Sequence, residues 1–163
     1  MIEKVNIIPI RKEDNAVIAE VIRIVMKEFN ADPETTIIGD PTLNTMYQNY
    51  CEPKSIYFVI LDQNTVVGGC GIKKLDFPND NTCELQRMFI LPTYRGKGFG
   101  KVLMMRCISK AKEFGFEKIY LETLTEMETA IKLYEKSGFH RIDYRMGNTG
   151  HTGCDVCMVL KLL

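Results

Sequence analysis

The chain has 163 residues, 45% of them apolar and 26% charged, with a formal net charge of zero. That balance fits a globular protein large enough to bury a core, and it excludes a polyanion-binding surface spread over the whole molecule. No apolar run approaches the roughly 20 residues that cross a bilayer, and the opening MIEKVNIIPIRKED lacks the long apolar stretch of a leader, so the expectation is a cytoplasmic protein of one domain, 1–163, that makes no membrane contact.

In chain order, Val5–Ile10 predicts a short strand. Asp14 stands where a helix cap belongs, and Val17, Ile18, Val21, Ile22, Val25 and Phe29 follow with the three-four spacing of a buried helical face. Three prolines and a glycine interrupt residues 30–54, leaving room for a short helix around Leu43–Tyr50. Ser55–Leu61 (SIYFVIL) reads as a strand, Asp62–Gln63–Asn64 as a turn, and Val66–Lys73 as the returning half of a hairpin. Cys83–Leu91 (CELQRMFIL) is a third strong strand. The helix after it carries Leu103, Cys107, Ala111 and Phe114 on one face, with Gly115 placed to cap its end. Lys118–Glu122 is a buried-looking strand. In the next helix Thr125 and Glu128 have capping-box spacing, Met127, Ala130, Ile131 and Tyr134 share a face, and Gly138 stops it. Phe139–Ile142 and Val156–Lys161 close the chain as strands. Early hairpins and late strand–helix units predict an α+β fold with a mixed sheet.

The six cysteines (51, 70, 83, 107, 154 and 157) form no framework, and in a reducing compartment they read as small core residues. Cys154 and Cys157 have metal-like spacing but lack a second pair, and His140 and His151 do not supply one, so no metal is expected. Charge is segregated. Leu85–Lys112 holds seven bases (Arg87, Arg95, Lys97, Lys101, Arg106, Lys110, Lys112) and no acid, whereas Glu28–Pro53 holds five acids (Glu28, Asp32, Glu34, Asp40, Glu52) and no base. Each run alone fits a solvated face. Together in a neutral chain they suggest an anionic ligand near one and a cationic ligand near the other.

Residues 95–100 read RGKGFG, between a strand and a helix that starts near Lys101. The first amides of a helix lack intrahelical partners and carry the positive end of its dipole. Glycines let an anion reach that backbone, and Arg95, Lys97 and Lys101 add mobile positive charge, so the segment reads as a phosphate or pyrophosphate cradle. It lacks the spacing and hydroxyl of a P-loop and the GxGxxG of a dinucleotide fingerprint. A glycine-rich turn without a ligand is the other reading of the same residues.

Three stretches resemble the GNAT superfamily of acyl-CoA-dependent N-acetyltransferases. ELQRMFILPTYRGKGFGKVLM (84–104) contains the family's R-x-x-G-x-G as Arg95–Gly98–Gly100, YLETLTEMETAIKLYEKSGFHRI (120–142) contains its LYE-x-x-GF, and VNIIPIRKEDNAVIAEVIR (5–23) resembles its opening strand and helix. The resemblance implies a mixed, mostly antiparallel central sheet flanked by helices and splayed between two central strands. It implies acetyl-CoA as acyl-donor cosubstrate, with the pantetheine arm in the gap along Met88, Phe89 and Ile90 and the pyrophosphate on Arg95, Gly96, Lys97, Gly98, Phe99, Gly100 and Lys101. Met127 stands where many members place an asparagine that binds the arm; the local backbone or Thr125 is the available substitute.

The implied reaction is acetyl transfer from the thioester to a primary amine of a small cationic molecule or of a peptide, such as a lysine side chain. A carboxylate serves as general base. Glu84 is the first candidate, sharing a face with Met88 and Ile90 by strand alternation unless a bulge resets the parity; Glu122, at the end of the next strand, is the second. Tyr134 matches the family's proton donor to the coenzyme sulfur and equally fits a core position. A non-catalytic acyl-CoA-binding or sensor module is the alternative on the same fold. Neutral net charge argues against nucleic acid, and the resemblance also allows a homodimer.

Overall fold

The computed structural model describes residues 5–34 and 37–162. The start of the N-terminal stretch read above, residues 1–4, lies outside them. Strand β1 (Val5–Pro9) leads through a short 3-10 turn into helix α1 (Asn15–Glu28). Its apolar stripe buries Ile18, Val21, Ile22 and Val25, while Val17 faces solvent and Phe29 is partly covered. Asp14 precedes the helix but does not cap it. Its carboxylate turns back to accept from the Arg11 amide at 2.8 Å and the Arg11 guanidinium at 2.8 and 3.1 Å.

Pro41–Thr45 forms a 3-10 turn that runs into α2 (Met46–Asn49), where the short helix was expected. Strands β2 (Ile56–Asp62) and β3 (Thr65–Lys74) make the predicted hairpin, and Asp62 faces Thr65 across it. Gln63 and Asn64 both have positive φ (46° and 68°), the conformation that lets a two-residue turn follow the strand twist. Strand β4 (Thr82–Ile90) precedes α3 (Phe99–Glu113), and β5 (Lys118–Thr123) precedes α4 (Glu128–Lys136). Both helices end as expected: the Gly115 and Gly138 amides reach back to Lys112 and Glu135, and those of Phe116 and Phe139 to Ala111 and Tyr134. The capping box of α4 is absent. Thr125 instead bonds Asp155 through its amide (2.9 Å) and hydroxyl (2.6 Å), and Met127 takes the cap position.

Among the described residues seven strands form one sheet in the order β1-β2-β3-β4-β5-β7-β6, with β6 (His140–Ile142) and β7 (Val156–Lys161) at the far side. Every neighbouring pair is antiparallel except β4–β5. That parallel pair is joined only at Thr82–Lys118, Cys83–Ile119 and Glu84–Tyr120, after which the strands part. Of the two larger cores, helix α1 and the 41–49 segment bury one with Tyr57, Val59 and Phe89, and α3 and α4 bury the other with Cys83, Leu85 and Leu121; a smaller cluster gathers Leu75, Tyr120 and Met146. Among the described residues no helix is long and apolar enough to cross a membrane.

Candidate functional site

The two larger cores meet where β4 and β5 part, and the site is built there. Gly69 of β3 pairs with Phe89, but Gly71 pairs with Gln86, so β4 carries an extra residue at Arg87–Met88. Arg87 takes φ 55° in this bulge, and Tyr57 secures it by donating to the Arg87 carbonyl at 2.7 Å. The glycines of β3 make room for that tyrosine: a Cβ on Gly69 would lie 2.4 Å from its ring. The Arg87 side chain is held by Asp40 (3.0 Å) and Thr42 (2.7 Å).

The bulge resets the side-chain parity of β4. Cys83, Leu85, Met88 and Ile90 face the α3–α4 core, whereas Phe89 faces α1 and Gln86 accepts from Tyr50 at 2.6 Å. Glu84 therefore shares its face with Gln86 and Phe89. The expectation that it aligns with Met88 and Ile90 is corrected by the extra residue.

Two adjoining cavities open at the gap. The larger, about 420 Å³, is lined by Met88, Phe89 and Ile90, by Arg95, Gly96, Gly98, Phe99, Gly100 and Lys101, and across the gap by Met127 and α4. Gly98 sits at φ 86° as the residue preceding α3, a conformation that costs other residues strain. The first bond of α3 runs from the Val102 amide to the Gly98 carbonyl, which leaves the amides of Phe99, Gly100 and Lys101 without intrahelical acceptors. The positive charge here is less mobile than expected. Arg95 forms a two-pronged pair with Glu28 at 2.8 and 2.9 Å and donates to the Ile90 carbonyl at 2.9 Å. Lys97 lies over the Tyr94 ring and outside the cavity lining, whereas Lys101 lines the cavity.

The smaller cavity, about 60 Å³, shares Met88, Phe89 and Met127 with the larger and continues to Glu84, Glu122, Tyr134 and His151. Glu84 is 6% exposed. Burial raises its pKa to about 7, aided by Glu122 and opposed by a 2.8 Å hydrogen bond from Gln86 and by Arg87. The Glu122 side chain is 2% exposed; one oxygen pairs with Arg145 and the other, Oε1, is buried without a hydrogen-bond partner. Tyr134 is buried, which raises its pKa and keeps it neutral, and its ring packs on Phe139 while it lines the cavity. Thr125, the expected substitute at the coenzyme arm, bonds Asp155 through its amide and hydroxyl, and the Met127 sulfur lies 3.7 Å from the Thr123 hydroxyl.

Sequence reasoning missed His151 and Arg145. Arg145 pairs with Glu122 and also donates to the carbonyls of His151 (3.0 Å), Thr152 (3.1 Å) and Cys154, so one guanidinium folds the β6–β7 connection over the cavity. His151 thereby joins Glu84 and Glu122, one ligating atom of each lying within 4.8 Å of the others. Its pKa is lowered, chiefly by burial, which leaves a neutral imidazole at neutral pH. The acidic block of residues 28–53 does not gather into one negative surface. Glu28 pairs with Arg95, Asp40 with Arg87, and Glu52 with Lys73.

Known proteins carry the same plan. The chain is 44% identical over 152 residues to YjgM, an uncharacterized N-acetyltransferase of Escherichia coli, covering 92% of this chain and 90% of that one. An acetyltransferase of the GNAT family from Staphylococcus aureus superposes with a TM-score of 0.80 at 24% identity, over 98% of this chain and 99% of that one. YncA from Salmonella typhimurium, solved with acetyl-CoA, superposes with a TM-score of 0.76 at 20% identity over 98% and 94%. The family model described as acetyltransferase (GNAT) family matches residues 19–139, so the chain belongs to that family, the acyl-CoA-dependent N-acetyltransferases.

Proposed function

We propose that this protein transfers the acetyl group of acetyl-CoA to a primary amine, with Glu84 as general base and Tyr134 as the donor to the leaving sulfur. One observation carries the reading: the glycine-rich helix start and the buried carboxylates lie at opposite ends of two cavities that share Met88, Phe89 and Met127. The pyrophosphate fits the amides of residues 96–101, and the arm fits the β4 edge that β5 leaves unpaired beyond Glu84.

An alkylammonium with pKa near 10 gives a proton to a carboxylate near 7 at a cost of about 4 kcal/mol, which desolvation of the ammonium in the buried site reduces. The freed nitrogen attacks the thioester carbonyl to give a tetrahedral adduct with a cationic nitrogen; as the carbon–sulfur bond breaks, that nitrogen gives up its second proton, which reaches the departing sulfur by way of Tyr134, leaving a neutral amide and free CoA thiol. Because burial raises the Tyr134 pKa, its contribution is first a hydrogen bond that strengthens as charge develops on sulfur. A cationic amine or lysine side chain remains the proposed acceptor class. Its support now comes from Glu84 and Glu122, since the acids of the 28–53 block are largely paired.

Release of free thiol from acetyl-CoA, followed across spermidine, lysine amide, n-butylamine and aspartate, tests the reading. Thiol release with the cationic amines and acetylated product is the expected result; no release with any amine overturns it. Tyr134→Phe should retain coenzyme binding and lose about 10- to 100-fold in kcat.

A further inference from the structure

Glu84, Glu122 and His151 come from β4, from β5 and from the β6–β7 connection, and they converge at the inner end of the smaller cavity. Two further observations say what they await. Glu122 Oε1 is buried in this cavity wall with no partner. Of the nearby charges, Arg87 pairs directly with Asp40 and Arg145 with Glu122, whereas Glu84 forms no direct ion pair and is held only by Gln86 at 2.8 Å, with Arg87 acting on it from a distance.

We infer that Glu84, Glu122 and His151 form a three-point cradle that admits the acceptor as a primary ammonium ion, with Glu122 and His151 binding its nitrogen. The inference rests on the amine-acceptor reading above and adds two binding residues and a selectivity to it. An ammonium offers three N–H donors in tetrahedral directions, and a nitrogen about 2.8 Å from three acceptors sets them about 4.6 Å apart. The three groups lie within 4.8 Å of one another, which accommodates that arrangement. A zinc ion, with contacts of about 2.1 Å, draws its ligands to about 3.4 Å apart, and the 4.8 Å ceiling admits that set too; what favours an alkylammonium is the apolar lining beside the three groups. Met26, Ile37 and Leu124 supply apolar walls for the carbon stem. Each N-methyl group removes one donor and leaves a buried acceptor unpaired, a cost of about 1–3 kcal/mol or roughly 10-fold and more in affinity.

The test measures binding of n-butylammonium and of butyltrimethylammonium to the CoA-saturated protein, by calorimetry or ligand-detected NMR. Wild type should prefer the primary ammonium at least 10-fold. His151→Leu and Glu122→Gln should cut that preference at least five-fold with CoA affinity unchanged, and His151→Gln, which keeps an acceptor oxygen, should preserve most of it. Because His151 sits in a connection, the two histidine variants decide the matter even if Glu122→Gln fails to fold. Equal binding of the two cations, no binding of n-butylammonium, or a preference unmoved by His151→Leu overturns the inference. Stoichiometric, His151-dependent binding of Zn²⁺ without ammonium preference also overturns it and makes the cluster a metal site. A protein that acetylates amines yet shows no such preference retains the amine-acceptor reading and loses only the cradle; one that releases no thiol loses the reading itself.

Discussion

Glu84, the proposed base, would couple stability to chemistry in one side chain. Its pKa rises from 4.5 to about 7 because the folded chain withdraws the carboxylate from water. Below about 4.5 both folded and unfolded states hold the proton. Between the two values the unfolded state ionises first, so stability falls as pH rises, and the loss is complete above about 7 at roughly 3 kcal/mol. Glu84→Gln should therefore gain up to about 3 kcal/mol relative to wild type when denaturant midpoints at pH 8 are compared with those at pH 5. The same variant should lose on the order of 100-fold or more in kcat/KM, and the rise of kcat/KM through pH 7 should vanish. That Glu84 and Tyr134 line one cavity was foreshadowed in the sequence, because motif positions and strand ends are local features. The place of His151 was not. It reaches the cavity only because Arg145 gathers carbonyls on the far side of a connection, a contact without a sequence period.

At the level of elements, strands and helices were legible from alternation, three-four spacing and terminal glycines. Their couplings were not. The bulge in β4 depends on Tyr57, 30 residues upstream, and on two glycines of β3 that admit its ring. In the sequence VVGGCGI those glycines look like a weak strand; in the sheet they are the space that a tyrosine fills. Tyr57→Phe should keep the ring packing and remove one buried hydrogen bond, costing about 1–2 kcal/mol by chemical denaturation. If the bulge aims residues 88–90 at the coenzyme arm, the variant should also raise the KM for acetyl-CoA several-fold while leaving that for the amine nearly unchanged. The segregated charge blocks were real in sequence but touch in space through Glu28–Arg95 and Asp40–Arg87, pairs that span 67 and 47 residues.

For the whole molecule, the joint between β4 and β5 is three residue pairs long in a sheet whose other neighbours are mostly more extensively paired. A ligand that bridges the gap should act as a staple. At 100 times its Kd, CoA should stabilise the fold by about 2.7 kcal/mol and raise Tm by roughly 5–10 °C, whereas pantetheine at the same concentration, lacking the pyrophosphate, should shift Tm little. Equal shifts from the two would remove the glycine-rich turn from recognition.

The parting of these strands has a consequence for inhibition. Beyond Glu84, the edge of β4 that faces β5 offers main-chain groups to any chain of amides that can lie flat against it. A short peptidomimetic with the right spacing of carbonyls and N–H groups would compete with the cosubstrate while carrying neither nucleotide nor sulfur. Its selectivity would come from Met127, whose apolar side chain stands across the cleft.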